Sequence, residues 1–111
     1  MMQLRLVVLA GALLAAGSAH ATTVSDCERV VAQFEAHVGR RGLAGREAPA
    51  VLRKLAAAAA PQASMSDRLR ELREVRDRAR VRPDVSRFDA DRLARGAEVA
   101  MLCLQRVREG R

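Results

Sequence analysis

The chain has 111 residues and a net charge of +7, with 20 Lys and Arg against 13 Asp and Glu. That length allows one small domain, and two cysteines allow a single intramolecular disulfide. Trp and Tyr are absent, which removes the usual base-stacking platforms and argues against nucleic-acid binding.

Met1 to Ala21 has the form of a secretory leader. Arg5 is its positive end, Leu6 to Ala16 its apolar run, and Ala19-His20-Ala21 a small-x-small cleavage site. The apolar run is shorter than the roughly 20 residues of a spanning helix, so the expectation is cleavage after Ala21 and export to the periplasm or medium. Asp26 beside Cys27 argues against lipidation. Arg5 is the leader's only charge, so removing 21 of the 111 residues leaves 90, with a net charge of +6. Residues 22–111 then form one domain, small enough that a covalent staple matters. Cys27 and Cys103 are the only partners available, and in an oxidising compartment they should pair. Closing a loop of 76 residues is worth on the order of 4 kcal/mol in the chain-entropy picture.

The first helix opens after Thr22 to Val24, with Ser25 as cap and Glu28 completing a capping box. Cys27, Val30, Val31, Phe34 and Val38 recur at helical spacing. Gly39 is expected to end the helix in the left-handed position, and the glycines through Gly45 to form a loop. A second helix spans about Glu47 to Ala60, with Pro49 in its first turn, an inward stripe of Val51, Leu52 and Leu55, and Pro61 as stop. The third runs from about Asp67 to Val81 behind Ser64 or Ser66. Its stripe is Met65, Leu69, Leu72, Val75 and Ala79, and its surface pairs Arg70 with Glu74, Glu74 with Arg78 and Arg73 with Asp77 at spacing four. Arg82-Pro83 ends it. The fourth, capped by Asp84 or Ser86, continues to about Arg108, roughly 33 Å for about 22 residues. Phe88, Leu93, Ala94 and Ala97 face inward in its first half. Gly96 to Leu104 is apolar nearly all round and is expected to be surrounded by the other helices.

No alternation of strand period occurs, so the expected class is all-α. A bridge from the start of helix one to the end of helix four requires an even helix count in an up-down arrangement. A four-helix up-down bundle satisfies it, and an orthogonal helical packing is the alternative.

Chemistry is sparse. The exported chain would hold one histidine, His37, expected on the solvated edge of helix one, and its cysteines are taken by the bridge, so no metal site is expected. The sequence lacks a haem motif, a Ser/His/Asp set and a phosphate-binding glycine loop, and its carboxylates alternate with arginines on helix surfaces. No catalytic residue and no cofactor are assigned, and the expectation is a non-enzyme.

The one surface with a functional reading is the flank formed by Arg73, Arg76 and Arg80, whose guanidinium groups suit a phosphate, a lipid head group or an acidic protein. Two facts weigh against it. Arginine stems commonly cover apolar surface, and a composition with nineteen arginines, one lysine and no Ile or Asn reflects GC-rich codons, so the basic charge speaks first of solubility and non-specific attraction. The leading expectation is a small exported protein-interaction module, of the inhibitor, immunity or chaperone-helper kind, with another envelope or extracellular protein as partner. The alternative is a basic protein held on anionic envelope polymers or membrane surfaces.

Overall fold

Helix formation follows the apolar spacing closely. The computed structural model describes residues 22–81 and 87–110, without the side chains of residues 87 and 88. These residues form α1 (Val24–Arg41), α2 (Ala48–Ala59), α3 (Met65–Val81) and α4 (Arg87–Arg108), and all regular structure among them is helical. The expected leader with its cleavage site, the expected Arg82-Pro83 stop, the expected Asp84 and Ser86 caps and the Phe88 side chain lie outside the described residues.

Both ends of α1 differ from expectation. Thr23, not Ser25, is the cap: its hydroxyl accepts from the Asp26 N–H at 3.1 Å, and its own N–H donates to Asp26 Oδ2 at 2.9 Å. Two overlapping boxes exist in this sequence, Thr23 with Asp26 and Ser25 with Glu28, and the earlier one adds two residues to the helix. At the other end the chain stays helical through Gly39 and stops at Gly42, which has φ 76° and donates its N–H to the Val38 carbonyl at 3.0 Å. Running on places Arg40 and Arg41 in the last turn, where cations favour the carbonyl-rich helix end. Ser64 caps α3 through its hydroxyl, 3.1 Å from the Asp67 N–H.

The helices pack in a closed order, α1 on α2, α2 on α3, α3 on α4 and α4 on α1. Named contacts fix their directions. Cys27 bonds to Cys103, with 5.6 Å between Cα atoms, while Phe34 lies on Gly96, so α1 and α4 run oppositely. Arg80 pairs with Glu98 while Arg73 shares a groove with Gln105, so α3 and α4 do too. Lys54 reaches Glu71 and Glu74 while Arg78 reaches Glu47, which sets α2 against α3.

The core is small and aliphatic. Val31 and Val38 of α1 meet Val51 and Leu55 of α2, Leu72 and Val75 of α3, and Leu93 and Leu104 of α4. Each fully buried Val or Leu contributes about 1.5–3 kcal/mol. Cys27 is fully buried among them, and Cys103 is partly buried against the cluster, which places the disulfide at the edge of the packed core.

Gly96 to Leu104 departs from the expected all-round burial. Ala97, Ala100, Met101 and Leu104 are buried, but Val99 and Leu102 are 59% and 52% exposed. In a ring of four helices each member has two neighbours and one free side. With α4 touching only α3 and α1, that free side carries Val99 and Leu102.

Candidate functional site

The three arginines proposed from the sequence all lie on the side of α3 that meets α4, but they are used differently. Arg80 is tied to Glu98 of α4 by an ion pair. Arg76 donates through Nε to Asp77 Oδ1 at 3.0 Å. Arg73 makes no ion pair among the described residues and is exposed. Arg73 and Arg76 form one wall of an open groove of about 220 Å³, and Glu98, Met101, Leu102 and Gln105 of α4 supply the rest. Arg80 stands outside it. The groove is therefore basic on its α3 wall and mixed on its α4 wall, where Met101 and Leu102 lie between Gln105 and the Glu98 carboxylate that Arg80 neutralises.

The outer side of α4 continues this pattern. Arg95, Val99, Leu102 and Arg106 are all exposed, and their spacings of four, three and four put them in one stripe along the helix. Arg95 and Arg106, like Arg73, have no ion-pair partner among the described residues. The sequence reading missed this stripe because it assigned the whole Gly96 to Leu104 segment to the core. The flanking arginines at both ends were the signal, since a buried stripe is rarely bounded by charge on its own face.

The opposite side of α3 is a self-satisfied charge network. The expected pairs at spacing four (Arg70 with Glu74, Glu74 with Arg78, Arg73 with Asp77) do not form as direct contacts. Lys54 of α2 takes Glu74 in an ion pair and stands 3.8 Å from Glu71, Arg78 donates to Glu47 at 2.9 Å, and Arg70 turns back to Asp67 at 3.1 Å. Neighbouring helices bring opposite charges closer than the next helical turn does. The hydrogen bond from Lys54 holds the Glu74 carboxyl below its usual value, and Arg70 and Arg78 add weaker attraction. At the start of α1, the Thr23 N–H and hydroxyl, followed by Arg29, lower the Asp26 carboxyl in the same way. A polar recess of about 270 Å³ lies over this network, between Arg53, Lys54, Glu71 and Arg78, and most of its charges already face one another.

Arg68 was absent from the sequence reading. It is 3% exposed and points into the bundle, donating Nη1 to the Ala58 carbonyl at 2.9 Å and Nη2 to the Pro61 carbonyl at 3.3 Å, with Glu28 of α1 at 3.6 Å. It satisfies the Ala58 carbonyl in the last turn of α2, which has no partner within the helix, and the Pro61 carbonyl just beyond the helix end. Its position was legible: 65, 68, 72, 75 and 79 follow helical core spacing, and Arg68 occupies one of those places. Its environment is structural.

His37 is exposed and lines a small recess of about 40 Å³ at the far end of α1, with Phe34, Val38, Leu43, Asp89 and Arg92. Among the described residues no three of His, Cys, Asp and Glu gather in a way that could hold a metal ion. No described helix is long and apolar enough to cross a membrane. No protein-family model, curated protein or solved structure matches the chain.

Proposed function

We propose that this chain is an exported up-down four-helix bundle that acts, without catalysis, as a protein-interaction module through the α3/α4 side. The observation that carries this reading is the exposed aliphatic pair Val99 and Leu102, set beside the arginine wall of the α3/α4 groove. Interfaces favour an apolar centre with arginine nearby. The antiparallel contacts and the Cys27–Cys103 closure support the bundle topology, and the disulfide suits an oxidising compartment.

Affinity capture from an envelope extract, with the oxidised protein as bait, is expected to retain one partner in near-stoichiometric amount. Recovery of nothing above background overturns the interaction reading. Reversing the charge of Arg73, Arg76 and Arg80 together is expected to weaken that capture while leaving the fold intact. Attachment to anionic polymers or membrane surfaces is the second reading, supported by the net charge of +7, or +6 without residues 1–21. It requires binding that fades between low and physiological salt and that responds to total charge, whichever arginine is changed.

A further inference from the structure

We propose that the α3/α4 groove and the adjoining α4 stripe receive an acidic amphipathic helix from a partner protein, with a leucine-like side chain seated against Met101 and Leu102 and carboxylates on Arg73, Arg95 and Arg106. This assignment rests on the interaction-module reading and specifies the chemistry of the partner.

Three features of the surface select this occupant. The first is unspent charge. Arg76 and Arg80 are engaged by Asp77 and Glu98, whereas Arg73, Arg95 and Arg106 surround the aliphatic pair with no ion-pair partner among the described residues. Carboxylates arriving from outside would complete forked hydrogen bonds there. The second is shape. The groove is a concavity between two antiparallel helices, lined by one turn of α3 and two turns of α4, and an amphipathic helix lays its apolar face into a concavity of this kind. Arg95 and Arg106 are eleven positions apart, about 16 Å along α4, so a docked helix would meet both with carboxylates three turns apart on one face. The third is exclusion of other occupants. A second copy of this chain would bring another strongly basic protein against the same arginines, a like-charge pairing that is costly at an interface. A bilayer surface fills no concavity, and the chain has no Trp or Tyr for an interfacial belt.

The test titrates the oxidised protein with a synthetic helical peptide made of Leu and Glu, its leucines on one face, and follows both affinity and backbone amide resonances. Two further probes accompany it: the same peptide with Leu replaced by Ser, and vesicles of phosphatidylglycerol. Saturable binding of the Leu/Glu peptide is expected, with resonance changes centred on Arg73, Val99, Leu102 and Arg106. Leu102→Ser, at a half-exposed position, is expected to weaken it about tenfold or more, as loss of an anchor residue does. Arg73→Glu is expected to weaken it at least as much, while Arg53→Glu, an equal change in net charge on the α2/α3 side, leaves it within about twofold. Equal binding of the Ser peptide, equal losses from Arg53→Glu and Arg73→Glu, or preference for the vesicles overturns the proposal in favour of charge alone. Absence of saturable peptide binding overturns it as well. Capture of the natural partner separates the two readings: a partner retained undiminished by Leu102→Ser sustains the interaction module and removes this face, whereas peptide binding at the groove with no partner captured sustains the face and removes the module.

Discussion

The α1/α4 seam and the α2/α3 seam join helices of the same four-helix ring by opposite means. Between α1 and α4 the joint is covalent and close: Cys27 bonds Cys103, and the Phe34 ring lies directly on Gly96, where any Cβ would overlap it. Between α2 and α3 it is polar. Lys54 bridges to Glu71 and Glu74, Arg78 reaches Glu47, and Arg68 donates to the Ala58 and Pro61 carbonyls. Val51 and Leu55 anchor the first part of α2 in the core, but beyond them the helix offers only alanines, and there the long Arg68 side chain of α3 helps to hold it. In the first seam strength comes from a constraint on the unfolded chain. In the second the main polar contribution comes from the buried Arg68, whose withdrawal would leave the carbonyls it serves without a donor, while the more exposed ion pairs add little.

Cutting the first seam should have the largest effect. Replacing Cys27 and Cys103 by Ser is expected to cost on the order of 4 kcal/mol, measured by urea denaturation against the oxidised protein. A loss below about 1 kcal/mol would show that packing alone holds α1 to α4. In the second seam Arg68→Ala is expected to cost about 3 kcal/mol, because it strands buried carbonyls and leaves a void. Arg68→Met, which fills the space without the hydrogen bonds, should recover part of that loss. If Arg68→Ala proves harmless, the polar seam is ornamental and the comparison fails.

Smaller changes sharpen the contrast. Gly96→Ala gains about 1 kcal/mol of helix propensity but forces the Phe34 ring aside, an overpacking cost of about 1–3 kcal/mol. A net loss near 1 kcal/mol is expected, and it should shrink in a Phe34→Leu background. Lys54→Met is expected to cost under about 1 kcal/mol, since Glu74 is substantially exposed and the pair is screened. Its pH dependence is diagnostic. The folded Glu74 carboxyl sits below its usual 4.5, so the pair's contribution is present above that value and is lost as pH falls through the lowered folded one. The gap between wild type and Lys54→Met should therefore be flat from about pH 7 to 5 and close in more acidic solution.

The helices were legible in the sequence because apolar spacing and the Pro61 stop survive without tertiary information, and the bridge because two cysteines leave no choice of partner. The cap of α1 was ambiguous because Thr23 and Ser25 each begin a valid box, and its end because Gly39 and Gly42 both offer a stop. Arg68 escaped because the inward stripe of α3 was drawn through apolar residues alone. Glu74 was given to Arg70 and Arg78 because a sequence displays partners within one helix and conceals those on the next. The candidate surface was half read. Its basic wall was found from helical geometry, while Val99 and Leu102 were placed inside because the number of neighbours around α4 is a property of the whole ring.

Joining Cys27 to Cys103 also turns most of the chain into a covalent circle, and the α1/α2 and α2/α3 connections lie within it. A protease that cuts at exposed Arg46 opens that circle but releases no fragment. Nicked and intact molecules share one band on a gel until a reductant is added. For a chain so rich in arginine, and so rich in targets for arginine-directed proteases, the bond keeps a cut molecule in one piece with every helix still in reach of its neighbours.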